Sequence, residues 1–376
     1  MLMHRVMILA NANSPLLEKW LQMDRSRYKI ILVSVKSIGK FVDDVHLERI
    51  ISKHSVFFSY LKLLFSIRRL IKKYNPDIII SHYFLHNGII ATFSKFHPHF
   101  AVAYGTDVFN YPKFLYPFVK LVANNSDKIL VSAQFTKQYL IEKFKVKENK
   151  IVRSSWGINT KIFNLNDRKL KDNYPQFLKE FNISIDNRYI LSPRVVRPEN
   201  NQDVILYAFS EISKKNPNYR LIIVHYSQQK NTYYYEELIQ IAKDLRINGK
   251  IIWLNRLVTL EEMSFLFSLS ELMLIIMDFD QISSTLLEGI ACGCFPITSN
   301  LKPYQEVIEN KKNGLLISQI NSDNIVNAFD NFIENKEFYS KNVKELANKI
   351  ITNYNENCFV KLIEDISDEL IKDSKK

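Results

Sequence analysis

The sequence predicts an α/β protein made of two doubly wound, parallel-sheet domains. Its 376 residues are enough for two domains that each bury a core. Short β-branched runs alternate with amphipathic stretches, which is the pattern of parallel βα units. The alternation breaks only around Lys161–Asp186, where charge, Asn and Pro175 indicate a connection.

The strand candidates fall into two successive groups of similar size. In the first half they are Arg5–Ala10, Lys29–Val35, Asp77–Ser81, Phe100–Tyr104, Lys128–Ser132 and Lys150–Arg153. In the second half they are Tyr189–Ser192, Arg220–Val224, Lys250–Leu254, Leu272–Ile276, Phe295–Thr298 and Leu315–Ile317. We therefore expect a first domain over 1–165, a linker over 166–187, a second domain over 188–352 and a final helix over 353–376.

Composition excludes several classes of protein. With 47% hydrophobic and 24% charged residues, the chain is globular rather than disordered. Three cysteines are too few for a disulfide scaffold and favour a reducing, cytoplasmic setting. No stretch reaches the roughly 18 apolar residues of a membrane span. The apolar run Met1–Ala10 is too short for a signal peptide and favours a first buried strand.

Positive charge is concentrated in the first half of the chain. Residues 1–165 contain 25 Lys and Arg against 10 Asp and Glu, a balance of +15, whereas the remainder has a balance of −3. The asymmetry indicates an anionic partner: nucleic acid, a phospholipid surface or a phosphorylated acceptor. Nucleic acid is the least supported of these, because no nucleic-acid-binding motif accompanies the charge.

The segment 278–298 is the richest in chemistry. It is predicted to be a strand end, a polar loop, a helix that opens at Ser283–Thr285, and a stop at Gly293. The free amides of a first helical turn can bind phosphate oxygens. An alternative is purely structural, since Thr285 and Glu288 have the spacing of a capping box.

Asp280 and Glu288 are separated by seven residues, and this segment resembles the acidic-x7-acidic motif of retaining glycosyltransferases of the GT-B fold, family 4. Other segments resemble motifs of the same family in the same order along the chain. They are Tyr104–Asp107, Ser155–Phe163, Ile190–Asn201 and Tyr304–Leu316.

The resemblance implies two doubly wound domains that face a cleft, with a C-terminal helix that crosses back to the first. It also implies that Arg194 stabilises a departing nucleoside diphosphate, that Asp280 contacts the donor sugar and that Glu288 binds ribose. The remaining donor-binding candidates are Arg197, Asn200, Ser283, Ser284, Thr285 and Leu286. Arg197 is the candidate replacement for a family Lys, because Glu199 or Asn200 stands at that position.

In the first domain the resemblance implies catalytic roles for Tyr104 and Asp107, with Tyr104 standing where the family has His. It implies acceptor-side positions for Asn13, His82 and Tyr83. The family needs no metal, and no cofactor is expected. His82 and His86, like His97 and His99, have a spacing that suggests a metal site but no third ligand. A solvated loop position is the alternative for His82.

Two aromatic and basic stretches, Phe57–Tyr74 and Val108–Lys120, indicate contact with an anionic membrane surface; packing of the first stretch on the sheet is the alternative. The sequence thus predicts a retaining transferase that moves a sugar from a nucleotide-diphosphate donor to a lipid-linked or polysaccharide acceptor. The expected location is the cytoplasm, at the inner membrane face, where cell-envelope glycans such as lipopolysaccharide, capsule or exopolysaccharide are made. The alternatives are a catalytically silent sugar- or lipid-binding protein and a nucleotide-sugar epimerase of the same fold.

Overall fold

A computed structural model describes residues 3–35, 45–51, 55–165, 174–225 and 232–376. The chain divides into two compact units, Met1–Trp156 with Glu356–Lys376, and Gly157–Asn355. Of the predicted linker 166–187, residues 166–173 lie outside the described residues. Within the described ranges, no helix is both long enough and apolar enough to span a membrane.

The first unit contains a seven-stranded parallel sheet with the order β3-β2-β1-β4-β5-β6-β7. Its strands are β1 (His4–Leu9), β2 (Tyr28–Ser34), β3 (His46–Arg49), β4 (Ile78–His82), β5 (His99–Val102), β6 (Lys128–Val131) and β7 (Ile151–Arg153). Its helices up to this point are α1 (Pro15–Trp20), α2 (Val56–Tyr74), α3 (Ile89–Ser94), α4 (Thr106–Phe109), α5 (Tyr116–Asn125) and α6 (Gln134–Phe144). A π-helical turn at Phe84–Gly88 precedes α3. Single 3₁₀ turns lie at Lys113–Leu115 and Glu148–Lys150.

The second unit contains a six-stranded parallel sheet with the order β10-β9-β8-β11-β12-β13. The strands are β8 (Arg188–Ser192), β9 (Tyr219–Val224), β10 (Ile251–Leu254), β11 (Leu272–Ile275), β12 (Phe295–Ser299) and β13 (Leu315–Ile317). The helices are α7 (Pro175–Glu180), α8 (Gln202–Lys215), α9 (Thr232–Asp244), α10 (Leu260–Leu269), α11 (Ser284–Ala291), α12 (Lys302–Gln305), α13 (Ser322–Glu334) and α14 (Lys336–Asn353). Single 3₁₀ turns lie at Pro198–Asn200 and Asn248–Lys250.

Both sheets reverse their strand order at one point, between β1 and β4 in the first and between β8 and β11 in the second. Ligands of doubly wound folds bind at the carboxyl ends of the strands at such a switch point. The two predicted parallel-sheet domains are confirmed. Strand β3 was missed: it is a short edge strand whose residues His46–Arg49 are exposed or only partly buried, so it lacks the β-branched signal of a buried strand.

The last helix, α15 (Glu356–Asp373), belongs to the first unit, as the sequence predicts. Its apolar face, made of Phe359, Ile363, Ile366 and Leu370, joins the core cluster that contains the inner residues of β1. Its polar face is attached to the start of β2, where the hydroxyl of Tyr28 donates to Asp368 over 2.6 Å. Helix α15 therefore completes the core of a domain whose other elements come from the first 156 residues.

Close packing fixes α11 against β11 in the second unit. A Cβ atom on Gly289 would lie 2.4 Å from the sulfur of Met273 and 2.9 Å from the ring of Phe267, so a larger residue here would require these side chains to move. The N-terminus of α11 is thereby held at the carboxyl edge of the sheet.

Candidate functional site

Two loops at the switch point of the second sheet bring the main candidate residues together. Arg194 follows β8, and Asp280 follows the neighbouring strand β11. A guanidinium Nη2 of Arg194 lies 3.6 Å from Oδ2 of Asp280. The sequence therefore placed both residues at the correct edge, and the fold pairs them.

Tyr304 on α12 completes this pair. Its hydroxyl donates to Oδ2 of Asp280 over 2.8 Å, and the backbone amide of Gln281 donates to Oδ1 over 2.8 Å. The Tyr304 side chain is fully buried. Sequence reasoning assigned no role to this residue, since nothing in the pattern joins a tyrosine to a carboxylate 24 positions earlier.

The charge states at the site follow from burial and neighbouring charges. Burial lowers the pKa of Arg194, but the carboxylate of Asp280, helped by Glu288 and Glu199, outweighs burial and leaves that pKa above its ordinary value. Burial, with the charge of Asp280, raises the pKa of the Tyr304 hydroxyl well above its usual range. Arg194 is thus a permanent cation, and Tyr304 is a permanent donor to Asp280.

The N-terminus of α11 lies beside this pair in the chain. Ser283 is its N-cap, and its hydroxyl accepts the amide of Leu286 over 3.2 Å. That amide already has a partner, contrary to its predicted availability for a phosphate, which leaves Ser284 and Thr285 as the first-turn candidates. The hydroxyl oxygen of Ser284 is buried, and no partner for it lies within the described residues.

The structural alternative for Glu288 is wrong. A capping box needs the carboxylate at the third residue of a helix, but α11 begins at Ser284 with Ser283 as its cap. Glu288 is therefore the fifth residue, a full turn into the helix, where it is partly buried. It lies near enough to Arg194 to help raise the pKa of that guanidinium.

The loop after β8 is held by a residue that the sequence analysis overlooked. The amide nitrogen of Gln202 donates to the carbonyl oxygens of Arg194 and Val195 over 3.2 and 3.1 Å. Its amide oxygen accepts the backbone N–H of Arg197 over 3.3 Å. Gln202 is completely buried at the start of α8, so it fixes the backbone that carries Arg194.

The two remaining donor-side candidates occupy different environments. Arg197 is half exposed, and its Nη1 lies 3.8 Å from a carboxylate oxygen of Glu199. Asn200 is buried, and its side-chain nitrogen donates to the carbonyl of Val195 over 2.7 Å. Among the described residues its side-chain oxygen has no partner. Asn200 therefore helps to fold the loop and also keeps one acceptor unused.

In the first unit, the carboxylate of Asp107 is a shared hydrogen-bond acceptor for three backbone amides. Its carboxylate accepts the N–H groups of Phe84, Tyr104 and Gly105 over 2.7 to 2.9 Å. Burial raises the pKa of Asp107 to about 6, and those backbone hydrogen bonds oppose the shift. These contacts are those of a residue that positions Tyr104; its predicted catalytic role stays a prediction.

Tyr104 lies within an aromatic stack at the carboxyl edge of the first sheet. Its ring stacks on Tyr83 at 4.6 Å and on Trp156 at 4.8 Å between ring centroids. Its hydroxyl shares a hydrogen bond of 2.9 Å with Nδ1 of His82. Tyr83 has a positive φ of 72°, which is uncommon for a bulky residue, and its side chain remains partly exposed.

His82 is the last residue of β4, so the alternative of a solvated loop histidine is wrong, whereas its acceptor-side position stays a prediction. The side chain is buried, and its ring packs against Trp20 at 4.8 Å between centroids. No partner of its Nε2 atom lies in the described part of the chain. Asn13, the other acceptor-side candidate, is exposed in the loop after β1. Its backbone N–H donates to Oδ1 of Asn11 over 3.1 Å.

Comparison with known proteins decides the family. Residues 174–354 match the model of the glycosyl transferases group 1, and residues 5–133 match the model described as glycosyl transferase 4-like. The chain is a group 1, family 4 type glycosyltransferase. The family resemblance and the GT-B fold class predicted from the sequence are confirmed.

Two curated relatives are similar to this glycosyltransferase over part of its length. An uncharacterized glycosyltransferase of Haemophilus influenzae is 26% identical over 156 residues, which are 41% of this chain and 42% of the relative. The N-acetyl-alpha-D-glucosaminyl L-malate synthase of Bacillus anthracis is 20% identical over 229 residues, 60% of this chain and 58% of the relative. The match thus spans about half the length of each relative.

Solved structures share the fold of this glycosyltransferase over nearly its full length. Anabaena HepE in complex with UDP and glucose has a TM-score of 0.80 at 13% identity and covers 98% of this chain and 100% of its own. WaaG, described as a glycosyltransferase involved in lipopolysaccharide biosynthesis, has a TM-score of 0.73 at 10% identity and covers 95% and 99%. At these identities the likeness establishes the fold.

The histidine pairs of this glycosyltransferase have other partners. His97 bonds to Asp127 through Nδ1 over 2.7 Å, and Nε2 of His99 bonds to the Ser81 hydroxyl over 2.7 Å. Throughout the described ranges, no three His, Cys, Asp or Glu side chains are grouped as metal ligands.

Two buried histidines should make the stability of this glycosyltransferase depend on pH. Burial lowers the pKa of His82 to about 3 and, together with the charge of His97 and against that of Asp127, lowers the pKa of His99 to about 4. The unfolded chain binds these protons near pH 6.5 and the folded chain does not, so these two histidines should make stability fall as the pH drops below 6.5. Each histidine contributes about 1.4 kcal/mol per pH unit until its folded pKa is reached. The raised pKa of Asp107, about 6, opposes this fall below pH 6.

Urea unfolding between pH 7 and pH 5 would measure this slope. His82→Gln should reduce the change of unfolding free energy with pH by about 1.4 kcal/mol per pH unit, which is the contribution of one proton. The matched control is His97→Gln, at an exposed position. An unchanged slope in the His82 variant would contradict the assignment of His82 as a buried neutral group.

Proposed function

We propose that this protein transfers a sugar from a nucleotide-diphosphate donor to a lipid-linked or polysaccharide acceptor in cell-envelope glycan synthesis, with retention at the anomeric carbon. One observation carries the proposal: Arg194 and Asp280 are paired at the switch point of the second sheet, next to the N-terminus of α11. Such a site combines a fixed cation, helix-terminal amides and a carboxylate, which are the groups that a diphosphate and a sugar require.

Donor binding uses the positive end of α11. The amides of Ser284 and Thr285, together with the buried Ser284 hydroxyl, bind oxygens of the distal phosphate. Arg194 bridges the two phosphates, because a guanidinium can donate to two oxygens at once. Glu288 accepts the ribose hydroxyls. The UDP in the structure of HepE makes a uridine diphosphate sugar the first donor to test.

The proposed reaction takes place on one face of the donor sugar. The bond between the anomeric carbon and the phosphate oxygen breaks, and its electron pair stays on the phosphate. The acceptor hydroxyl oxygen bonds to the same carbon from the same side, and its proton passes to the departing phosphate oxygen. Arg194 stabilises the charge that grows on the diphosphate, and Asp280, oriented by Tyr304, holds sugar hydroxyls.

No metal is needed in this scheme, because Arg194 and the helix amides supply the positive charge. The acceptor is bound by the first unit, at the carboxyl edge of its sheet, where Tyr104 bonds to His82 and stacks on the partly exposed Tyr83. The balance of +15 in residues 1–165 supports a site at the inner face of the cytoplasmic membrane. The likeness in fold to WaaG supports a cell-envelope glycan as product.

The proposal is tested by incubating the purified protein with nucleotide-diphosphate sugars and a membrane-lipid extract. We expect release of nucleoside diphosphate and a glycosylated lipid whose anomeric configuration, read from the NMR coupling constant, equals that of the donor. EDTA should not change the rate. Tight binding of the donor with no release of diphosphate would instead indicate the silent binding protein.

Glu288→Gln should weaken nucleotide affinity several-fold while it leaves the melting temperature nearly unchanged. The neutral amide is a poorer acceptor for two ribose hydroxyls, and Glu288 is not the capping residue of α11. Calorimetric titration with UDP measures the first quantity, and thermal unfolding of the free protein measures the second. Ser283→Ala is a useful comparison, since loss of the actual cap should lower stability by about 1 kcal/mol.

A further inference from the structure

Seven phenylalanine side chains in the described part of the first unit face solvent, and five of them, on neighbouring elements, form one group. These five are Phe58 and Phe65 on α2, Phe93 on α3, Phe114 in the 3₁₀ turn Lys113–Leu115, and Phe118 on α5, with exposed fractions of 51, 83, 43, 74 and 38%. Large aromatic side chains at this density on a folded domain mark an interaction surface. We call these five residues the aromatic face.

The members of the aromatic face lie on adjoining helices. Helix α3 packs against both α2 and α5. The rings of Phe93 and Phe118 are 6.4 Å apart between centroids, which joins α3 to α5. A guanidinium nitrogen of Arg68 donates to the carbonyl of Phe93 over 3.4 Å, which joins α2 to α3.

Helix α2 alternates aromatic and basic residues along its exposed side. Phe58, Lys62, Phe65, Arg69 and Lys72 are all exposed, and their spacings of three and four residues put them on one line of the helix. The opposite side, with Leu63, Ile67 and Leu70, is buried in the core. Packing on the sheet and an exposed aromatic line are therefore both properties of this helix, on different sides.

Acidic residues are almost absent from this part of the chain. From Arg49 through Ser126 the sequence has ten Lys and Arg, Arg49 included, but two acids, Asp77 and Asp107. Just before this range, Glu48 on β3 pairs with Lys73 at the end of α2 over 3.0 Å. Asp107 is 1% exposed and is bound by backbone amides. Oδ2 of Asp77 accepts the amide of Arg5 at the start of the sheet. Neither acid offsets the positive charge around the aromatic face.

We propose that the aromatic face inserts its phenylalanine rings into the interface of an anionic bilayer, with Lys62, Arg69 and Lys72 at the level of the lipid headgroups. This inference rests on the proposed membrane location and deepens it, because charge alone would hold the protein on the surface without burying any ring. Apolar rings that point outward between cations match an interface whose headgroups are anionic and whose acyl region is apolar. A second copy of the same face would bring like charges together, which disfavours it as the occupant.

Co-sedimentation of the full chain with phosphatidylglycerol–phosphatidylcholine vesicles tests the insertion. The double variant Phe65→Ser, Phe118→Ser should lose at least tenfold in partitioning. At about 1 M salt, where the screening length is about 3 Å, wild-type protein should keep part of its binding and the double variant should keep none. The matched control is Phe338→Ser with Tyr207→Ser, two exposed aromatic residues of the second unit.

A tryptophan placed on the aromatic face reports ring insertion directly, whatever the affinity for the vesicles. Phe65→Trp should show a blue shift in emission on addition of vesicles, and brominated lipid should quench it. Binding without shift or quenching, or equal binding of the double variant and wild type, would overturn the insertion. A wild-type dimer in solution that the double variant converts to a monomer would overturn it in favour of a second copy. Release of diphosphate from a soluble donor is measured alongside, so failure of the membrane claim is distinguishable from failure of the proposed transferase.

Discussion

Arg194→Ala should reduce the turnover number for donor cleavage by about 10²–10³-fold while donor affinity changes far less. The negative charge on the diphosphate grows as the glycosidic bond breaks, so a fixed guanidinium interacts more strongly with the transition state than with the bound donor. In the structure Arg194 is held for this role by its pairing with Asp280 and by Gln202, which binds its backbone carbonyl. Steady-state kinetics and a direct measurement of donor affinity together separate the two effects.

Arg197→Ala is the matched control for this prediction. Arg197 is half exposed and is paired with Glu199 at 3.8 Å, so its removal should change turnover only slightly. A large loss of turnover in Arg197→Ala would instead indicate that Arg197 replaces the phosphate-binding lysine of the family. Equal losses of affinity and turnover in Arg194→Ala would remove the leaving-group role, and a large fall in its melting temperature would indicate that the ion pair is mainly structural.

Exchange of Arg68, Arg69, Lys72 and Lys73 for Gln should lower binding to anionic vesicles by about 10²–10³-fold at low salt. Each basic side chain close to an anionic surface contributes about 1 kcal/mol, and 1.4 kcal/mol corresponds to a factor of ten. All four side chains are exposed on α2, which has no acidic residue. Co-sedimentation across a salt series measures the loss, because screening acts over about 8–10 Å at physiological ionic strength.

Four lysines of the second unit supply the control for the charge prediction. Lys179, Lys243, Lys341 and Lys344 are exposed, and their exchange for Gln removes the same net charge from the other domain. This control should bind vesicles as the wild type does, and both quadruple variants should keep their activity on a soluble acceptor analogue. Equal losses in the two quadruple variants would mean that net charge alone, and not the surface of α2, determines binding.

The residues of this site that belong to local sequence patterns could be predicted from the sequence. Arg194 and Asp280 follow short apolar runs, so their position at the carboxyl edge of the sheet could be predicted. Tyr304 and Gln202 could not, because their contacts join segments whose distance is set by folding. The capping-box hypothesis failed because it took Thr285 as the cap of α11. Ser283 is the cap, so Glu288 is the fifth residue of the helix and not the third.

In the first unit His82 was predicted to follow the strand, with a solvated loop position left open as the alternative, but its side chain is buried at the end of β4. Polar residues after a strand are typical of exposed loops, whereas β4 continues through His82 and Trp20 covers its ring. Burial of this kind depends on the packing of α1, which no short motif records. Both interpretations of the stretch Phe57–Tyr74 apply in part, since α2 packs one side in the core and presents aromatic rings to solvent on the other.

The return of α15 to the first unit has a consequence for synthesis of the chain. Phe359, Ile363, Ile366 and Leu370 fill the same core cluster as Val6, and each buried side chain of this size contributes about 1.5–3 kcal/mol. During translation the first 156 residues leave the ribosome long before these four side chains exist. The second unit, Gly157–Asn355, is complete at an earlier stage than the first. The amino-terminal domain is therefore the last to mature, and a nascent chain that stalls before residue 356 leaves the apolar surface meant for α15 uncovered and available to chaperones.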